Sequence, residues 1–220
     1  MDFDILSKIE KYQIVKDNYN GISHWYDSEL NGSIEFAKQL QEFTSFLQPG
    51  AKVLDVGAGT GEETAWIAKN AAEVTALDIS AKMLAVLQRK YPEIKTKEGN
   101  MVDQLFEEAE FDGIWSARAI IHIPPEDLLR VLKQFKRVLK TKGVLSVIFA
   151  IPKDNNLQEQ LIPEPEAPGK KNLLYYRTLY PLLYMYQCLE NMGFSIRKQG
   201  VLINKMGKGE TNAYLLAVKK

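Results

Sequence analysis

Cysteine is nearly absent: Cys188 is the only one among 220 residues. A lone thiol excludes an intramolecular disulfide and any thiolate zinc cluster, and it suits a reducing, cytosolic setting. Excess charge is missing too. Lys plus Arg number 28 and Asp plus Glu 28, so the formal net charge is zero. A dominant electrostatic grip on nucleic acid shows as a strongly basic domain, and that is not the pattern here, although a local basic patch stays open. Long apolar runs are also lacking. The longest, Val144 to Ile151, is interrupted by Ser146 and falls far short of the ~20 residues a membrane helix needs. The start, Met1-Asp2-Phe3-Asp4, lacks the basic opening and apolar stretch of a signal peptide. The expectation is a cytoplasmic protein with no membrane segment, no internal repeat and no low-complexity tract.

What is present is ordinary globular material. Hydrophobic residues make up 45% and charged residues 25%, which excludes intrinsic disorder and fits one domain, or one domain with a small appendage. In residues 1–32, Tyr12, Tyr19 and Tyr26 recur every seven positions, a spacing that puts the rings near one helical face. Gly21 and Gly32 predict short helices there rather than one rod. Ser33 is the expected cap of a helix carrying Ile34, Phe36, Ala37, Leu40, Phe43, Phe46 and Leu47 on one side, ended by Pro49-Gly50.

From residue 51 strands and helices alternate. Strands are predicted at Val53–Val56, Glu73–Leu77, Ile94–Lys97, Phe111–Trp115 and Val144–Ile151, and helices to about Lys69, at Ala81–Arg89 and at Pro125–Leu139. That rhythm implies a parallel sheet covered on both faces. Residues 152–172, with Pro152, Pro163, Pro165 and Pro168, read as a loop or insertion near the active edge. A helix over Leu179–Met192 capped by Gly193, and an antiparallel pair at Phe194–Ile203 and Ala213–Val218, complete the chain.

The strongest motif is Asp55-Val56-Gly57-Ala58-Gly59-Thr60-Gly61, between a predicted strand and a predicted helix. Alternating glycines let backbone approach a ligand with no side chain intervening. A dinucleotide site prefers G-x-G-x-x-G with a pyrophosphate on the helix N-terminus. Here the third glycine comes one residue early, and Glu62 and Glu63 occupy the first helical turn, where they would repel a pyrophosphate. S-adenosylmethionine has no phosphate and carries a sulfonium and an ammonium, both of which favour carboxylates. Asp55, at the strand end, is placed to act on the amino-acid part. Asp78 ends the second strand, 21 positions after Gly57, close to the usual ~20 for a carboxylate that takes both ribose hydroxyls. Its plain alternative is a solvated Asp before the helix that starts at Ser80.

At these residues the sequence resembles the class I S-adenosylmethionine-dependent methyltransferases. The likeness is carried by Val53 to Gly61, Ala76 to Ser80, Glu98 to Met101, Phe111 to Trp115, Ile120 to Pro124 and the turn at Leu139 to Gly143. The stretch Phe111–Pro124 is most similar to small bacterial tellurite-resistance-type methyltransferases. The resemblance implies an α/β fold: a seven-stranded, mostly parallel Rossmann-like sheet of order 3-2-1-4-5-7-6 with the last strand antiparallel and helices on both faces. It also implies an N-terminal helical cap over residues 1–48 and a methyltransferase domain over 49–220. By the same likeness Gly57, Ala58, Gly59, Thr60 and Gly61 border the methionine part and ribose, Asp78 holds the ribose, and Ile79 packs on adenine. Asn100, where many relatives have Asp, meets the adenine amine, and Met101 offers its N–H. Ser116 and Ala117 present carbonyls to the cofactor's amino group, and Tyr19 reaches over it from the cap.

Methyl transfer is an in-line displacement in which orientation and water exclusion do much of the work. A general base is required only if the acceptor must lose a proton, so no triad is needed and none is visible. The acceptor-side candidates are His122, whose ordinary pKa suits a base and whose plain alternative is to pack or to cap the helix beginning near Pro124, and Arg118, either an anchor for an acceptor carboxylate or a partner of Glu62, Glu63 or Asp103. His24, Tyr12, Tyr26 and the later tyrosines are weaker candidates, and Cys188 reads as a core residue. No metal ligand set stands out. The expected function is methylation of a small molecule. The alternatives are an RNA or protein methyltransferase, a dinucleotide-dependent oxidoreductase, and a non-catalytic S-adenosylmethionine-binding protein. After the fourth strand the chain has Ser116-Ala117-Arg118-Ala119 rather than an Asn-Pro-Pro-Tyr type of motif, which argues against an adenine or amide acceptor.

Overall fold

A computed structural model describes residues 6–30, 32–70, 72–163, 173–203 and 211–220. Helix α1 spans Lys8–Leu30 and α2 Ala37–Thr44. Strand β1 (Ala51–Val56), α3 (Glu62–Asn70), β2 (Ala72–Asp78), α4 (Ala81–Lys90), β3 (Lys95–Glu98) and β4 (Phe111–Ala117) follow. A 3₁₀ turn at Ile120–His122 leads to α5 (Pro125–Val138) and β5 (Leu139–Ala150). The chain ends with β6 (Gln158–Pro163), β7 (Leu174–Leu179), α6 (Leu182–Asn191), β8 (Phe194–Ile203) and β9 (Thr211–Lys219).

The main sheet has seven strands in the order β3-β2-β1-β4-β5-β9-β8. Strands β1 to β5 pair in parallel, and β9 runs antiparallel to both β5 and β8. This is the topology expected from the resemblance. Parallel strands buried on both faces read as near-continuous apolar runs, as in β5, where Val144 to Ala150 are all buried. One face is filled by α5 and α6, with Leu128, Phe135, Met185 and Leu189 packed on Ile114, Val147 and Leu215. The other takes α2 and α3, with Leu40, Phe43 and Ile67 against Val53, Trp115 and Ile148. Helix α4 continues that side through Leu84 and Leu87. Ser80 caps α4 as expected, its side chain accepting from the N–H of Met83.

Several expectations are corrected. Residues 8–30 form one 23-residue helix, not short pieces. Gly21 costs about 1 kcal/mol within a helix, but an added Cβ there would sit 3.0 Å from Leu173, so its smallness lets the chain pack close. Phe36, not Ser33, precedes α2, with no side-chain capping bond. The turn expected at Leu139–Gly143 already belongs to β5; the bend there shows as Lys142 at φ 65° and a register shift between Phe111 and Gly113. Part of the 152–172 loop is strand: β6 pairs with β7 as a separate antiparallel hairpin, and the rest, 164–172, lies outside the described residues. Leu179 ends β7, so α6 begins later than expected, at Leu182. Among the described residues no helix is long and apolar enough to cross a membrane.

Candidate active site

Ligand sites in open α/β sheets lie beyond the carboxyl ends of the strands, where strand order reverses. Here β1 and β4 are neighbours at that point, and both feed tight turns. Gly57 has φ 76°, and a Cβ on it would lie 2.3 Å from the Cβ of Ala119. The turn after β1 and the turn after β4 therefore touch only because position 57 has no side chain. Gly61, at φ 94°, packs against Leu87, whose Cγ would lie 2.5 Å from an added Cβ. It lines neither cavity described below and serves helix packing.

Two cavities flank the glycine turn and share Gly57, Gly59, Ala117, Arg118 and Tyr26. The first is lined by Asp78, Ile79, Asn100, Met101 and His122, and is walled by Tyr12, Val15 and Tyr19 of α1. The second is lined by Asp55, Ala58, Thr60, Glu62, Glu63 and Glu35. Of the expected site residues, Gly61 and Ser116 are the two outside both linings. Ser116 is fully buried within β4.

Asp78 fixes the shape of the turn. One carboxylate oxygen accepts from the N–H of Gly59 at 2.9 Å and the other from that of Ser80 at 2.8 Å. A carboxylate has about four lone-pair positions, so these bonds leave acceptor capacity for another donor. Burial raises its pKa, opposed by the backbone N–H groups of Ser80, Gly59 and Ile79. Asn100 uses its side-chain oxygen to accept from the N–H of Val102 at 3.2 Å, which holds its amide beside Ile79 and Met101.

The second cavity is acidic. Asp55 is buried and accepts from the Thr64 hydroxyl at 2.5 Å; burial nevertheless pushes its carboxyl up to about 7. Glu63 faces the cavity and accepts from the Trp115 indole N–H at 2.7 Å; burial pushes it up to about 8, against the pull of Trp115 and Arg118. Glu62, also on the lining, is engaged by an ion pair with Lys90 and a bond from the Thr60 hydroxyl at 2.7 Å. The cation of this cavity is Arg118, in the positive-φ region at 56°. Its ion-pair partner is Glu35 at 3.1 Å, a residue outside the expected set of Glu62, Glu63 and Asp103, while its charge also acts on Glu63. Its backbone N–H is held by the carbonyl of Ile148 at 2.7 Å. Glu35 carries no local sequence signal, because its partner lies 83 positions away.

His122 is buried against α1 and β7. Its Nδ1 lies 2.7 Å from the carbonyl oxygen of Tyr176 and its Nε2 2.7 Å from the Tyr19 hydroxyl. Burial first, then the positive charges of Arg118 and Arg177, push its pKa down to about 4. His24 is exposed and takes no part in the site. Cys188 is buried in α6.

Helix α1 roofs both cavities and is held by Ile22 packed on Met83 and by polar contacts. The Asn20 side-chain oxygen accepts from the Ser80 hydroxyl at 2.8 Å and from the N–H of Lys82 at 3.2 Å. Lys16 pairs with Glu98 at 2.7 Å, Asp27 with Lys90 at 2.5 Å, and the Tyr12 hydroxyl donates to Asp127 at 2.9 Å. The donor set fits a cationic, phosphate-free adenosine compound. The Asp78 carboxylate offers two acceptor oxygens, apolar Ile79 and Met101 line the same cavity, and carboxyls with one guanidinium line the other.

A methyltransferase-domain family model matches residues 53–143. The chain is 34% identical over 131 residues to a demethylmenaquinone methyltransferase of Chlorobaculum tepidum, covering 59% of this chain and 49% of that protein. It thus spans about half the length of that relative. It is 34% identical over 187 residues to the demethylmenaquinone methyltransferase of Bacillus pumilus, covering 78% of this chain and 74% of that one. Among solved structures, a 1,6-didemethyltoxoflavin-N1-methyltransferase of Burkholderia thailandensis, with 1,6-didemethyltoxoflavin and S-adenosylhomocysteine bound, superposes with a TM-score of 0.75. That match is 18% identical, covers 100% of this chain and 93% of the other, and is a likeness of fold. With its glycine turn, strand-end carboxylates and strand order, the chain belongs to the S-adenosylmethionine-dependent methyltransferases.

Proposed function

We propose that this protein transfers a methyl group from S-adenosylmethionine to a small, planar, hydroxyl-bearing aromatic acceptor. The observation that carries the reading is the pairing of two unlike cavities across Gly57 and Ala117, one acidic and one walled by aromatic and apolar side chains. When bound, S-adenosylmethionine supplies a methyl carbon already activated by its sulfonium. In this reading Asp78 binds the ribose hydroxyls, Ile79 and Met101 flank adenine, and Asn100 orients toward it. Asp55 and Glu63 take the positive end, and Arg118 takes the α-carboxylate. Gly57, Ala58, Gly59, Thr60 and Ala117 offer backbone, and neither Gly61 nor the Ser116 side chain is required to touch ligand. Arg118 is therefore reassigned from acceptor anchor to cofactor partner, since it stands among the acids of the second cavity.

The roof formed by α1 favours a small acceptor over an RNA or protein chain. Within residues 1–48, α1 supplies that roof, residues 49–220 form the catalytic domain, and β6, the described strand of the 152–172 stretch, pairs with the β7 strand that carries Tyr176 beside His122. The likeness of Phe111–Pro124 to tellurite-resistance-type enzymes belongs to this proposal as a likeness of sequence. The relatives' names direct the first acceptor assay to demethylmenaquinone. Calorimetry with S-adenosylhomocysteine and NADH, followed by mass spectrometry of reduced demethylmenaquinone incubated with S-adenosylmethionine, tests the reading. S-adenosylhomocysteine binding and a gain of one methyl group are expected. Binding of NADH alone would refute it, and cofactor binding with no transfer across a panel of hydroxyaromatics would turn it toward a binding protein.

A further inference from the structure

A groove between α1 and the turn after β3 adjoins the first cavity. The two share Tyr12, Ile79, Gly99 and Asn100, and the groove continues outward past Ile9 and Gln13 to the Lys16–Glu98 ion pair. Positions 9, 12, 13 and 16 fall on one face of a helix, so the helix that roofs the cavity also walls the groove. Ile9 is 81% exposed, and Glu98, the one acid among the described lining residues, is already paired. Asn100 stands where cavity and groove meet. Its amide faces the N–H of Val102 at 3.2 Å. A backbone N–H only donates, so the facing atom is the amide oxygen and the NH₂ is the other end. That NH₂ has no protein partner among the described residues. Val102 is buried, and turning the amide over would set NH₂ against its N–H. Such a mismatch costs about 10–100-fold in an equilibrium constant.

We propose that Asn100 reads adenine through the ring nitrogen beside its exocyclic amine, and that the amine faces this groove, which is a subsite for substituents carried on it. The proposal rests on the methyltransferase reading above, with adenine beside Ile79 and Met101. A bare ring nitrogen only accepts and the Asn100 NH₂ only donates, so the two match. An aspartate at position 100 would offer the amine an acceptor. Asparagine does so only by sharing or giving up its bond with Val102. An amine left to the groove keeps its hydrogen bonds to water. A hydrocarbon added to it displaces water from Ile9 and Tyr12 instead of colliding with a closed wall. The ligand class is an S-adenosyl compound bearing a benzyl-sized group on its amine. The subsite performs no chemistry of its own; it widens the set of methyl donors and products that the site takes.

Calorimetry with S-adenosylhomocysteine and three of its analogues tests this with no acceptor present. The analogue lacking the amine and the one with a benzylated amine should each bind within about 10-fold of the parent compound. The analogue with CH in place of the ring nitrogen should bind about 10–100-fold more weakly. Gln13→Trp sets a large ring in the groove from an exposed position. It should weaken the benzylated compound by about 10-fold or more and leave S-adenosylhomocysteine affinity and the urea midpoint as in wild type. A loss beyond about 10-fold for the amine-free or the benzylated analogue overturns the proposal, as does parent-like binding of the CH analogue. Equal affinity of wild type and Gln13→Trp for the benzylated compound overturns the assignment of the groove. Wild type that binds none of the four refutes the methyltransferase reading and the subsite together. Wild type that binds S-adenosylhomocysteine and fails the other comparisons overturns the subsite alone.

Discussion

Asp78 holds the N–H of Gly59 across the glycine turn at 2.9 Å, although 19 positions separate them. The carboxylate at the tip of β2 is thus part of the loop that follows β1. Its second oxygen, on Ser80, starts α4 in the same stroke. One side chain shapes the turn, begins a helix and lines the cavity.

Asp78→Asn should therefore weaken binding more than folding. Asparagine retains one acceptor and places an NH₂ against one of the two backbone N–H groups. Hydrogen bonds to a charged group are worth about 1.5–3 kcal/mol, so S-adenosylhomocysteine affinity should fall about 10–100-fold. Calorimetry reads the affinity, and a urea titration of the unliganded variant reads the smaller stability loss.

Gly57→Ala and Gly50→Ala separate strain from collision. Both positions lie at nearly the same angle, φ 76° and 77°. An alanine at Gly50 meets nothing within 4 Å, whereas one at Gly57 meets the Ala119 Cβ at 2.3 Å. The first should cost about 1–2 kcal/mol through the left-handed backbone alone. The second should cost that plus overpacking of about 1–3 kcal/mol and should abolish cofactor binding. Denaturation midpoints with equal m-values would check the difference.

Buried Asp55 and half-buried Glu63 make stability pH-dependent. Asp55 rises from 3.8 to about 7 and Glu63 from 4.5 to about 8. Between those values the folded state holds more protons than the unfolded state, so unliganded stability falls as pH rises through this window. The ammonium of S-adenosylhomocysteine, placed among these carboxyls, reverses the preference by favouring their ionised forms. Affinity for S-adenosylhomocysteine should therefore rise from pH 6 toward pH 8 in the window set by about 7 and about 8, with proton release on binding. Calorimetry in buffers of different ionisation heats counts those protons, and Asp55→Asn with Glu63→Gln should reduce the count.

Arg118→Gly tests the reassignment of that residue. Glycine relieves the positive φ of 56°, which offsets the loss of the ion pair with Glu35, so thermal stability should hold. S-adenosylhomocysteine should bind about 10–100-fold more weakly. Methylthioadenosine, which has no carboxylate, should bind as it does to wild type. Equal weakening of both ligands would remove the assigned role.

Legibility of the sequence followed the range of the interactions. Gly57, Gly59 and Asp78 announce themselves because a local turn and a strand end dictate their residue types. The apolar runs of β1, β4 and β5 mark strands buried on both faces. Helix α1 misled, since Gly21 weakens a helix locally while Leu173 and the polar ties to Ser80, Lys90 and Glu98 sustain it from a distance. The β6–β7 hairpin was hidden because its strand pattern sits beside proline-rich chain and outside the main sheet. The Arg118–Glu35 and His122–Tyr19 pairs left no trace, because each joins residues more than 80 positions apart.

The indole of Trp115 is wholly enclosed, and its single N–H ends on Glu63. A chromophore so placed senses any change in ionisation of that carboxyl through its emission colour and intensity. Of the three tryptophans, this one gives the protein an optical gauge of cofactor arrival that needs no added dye.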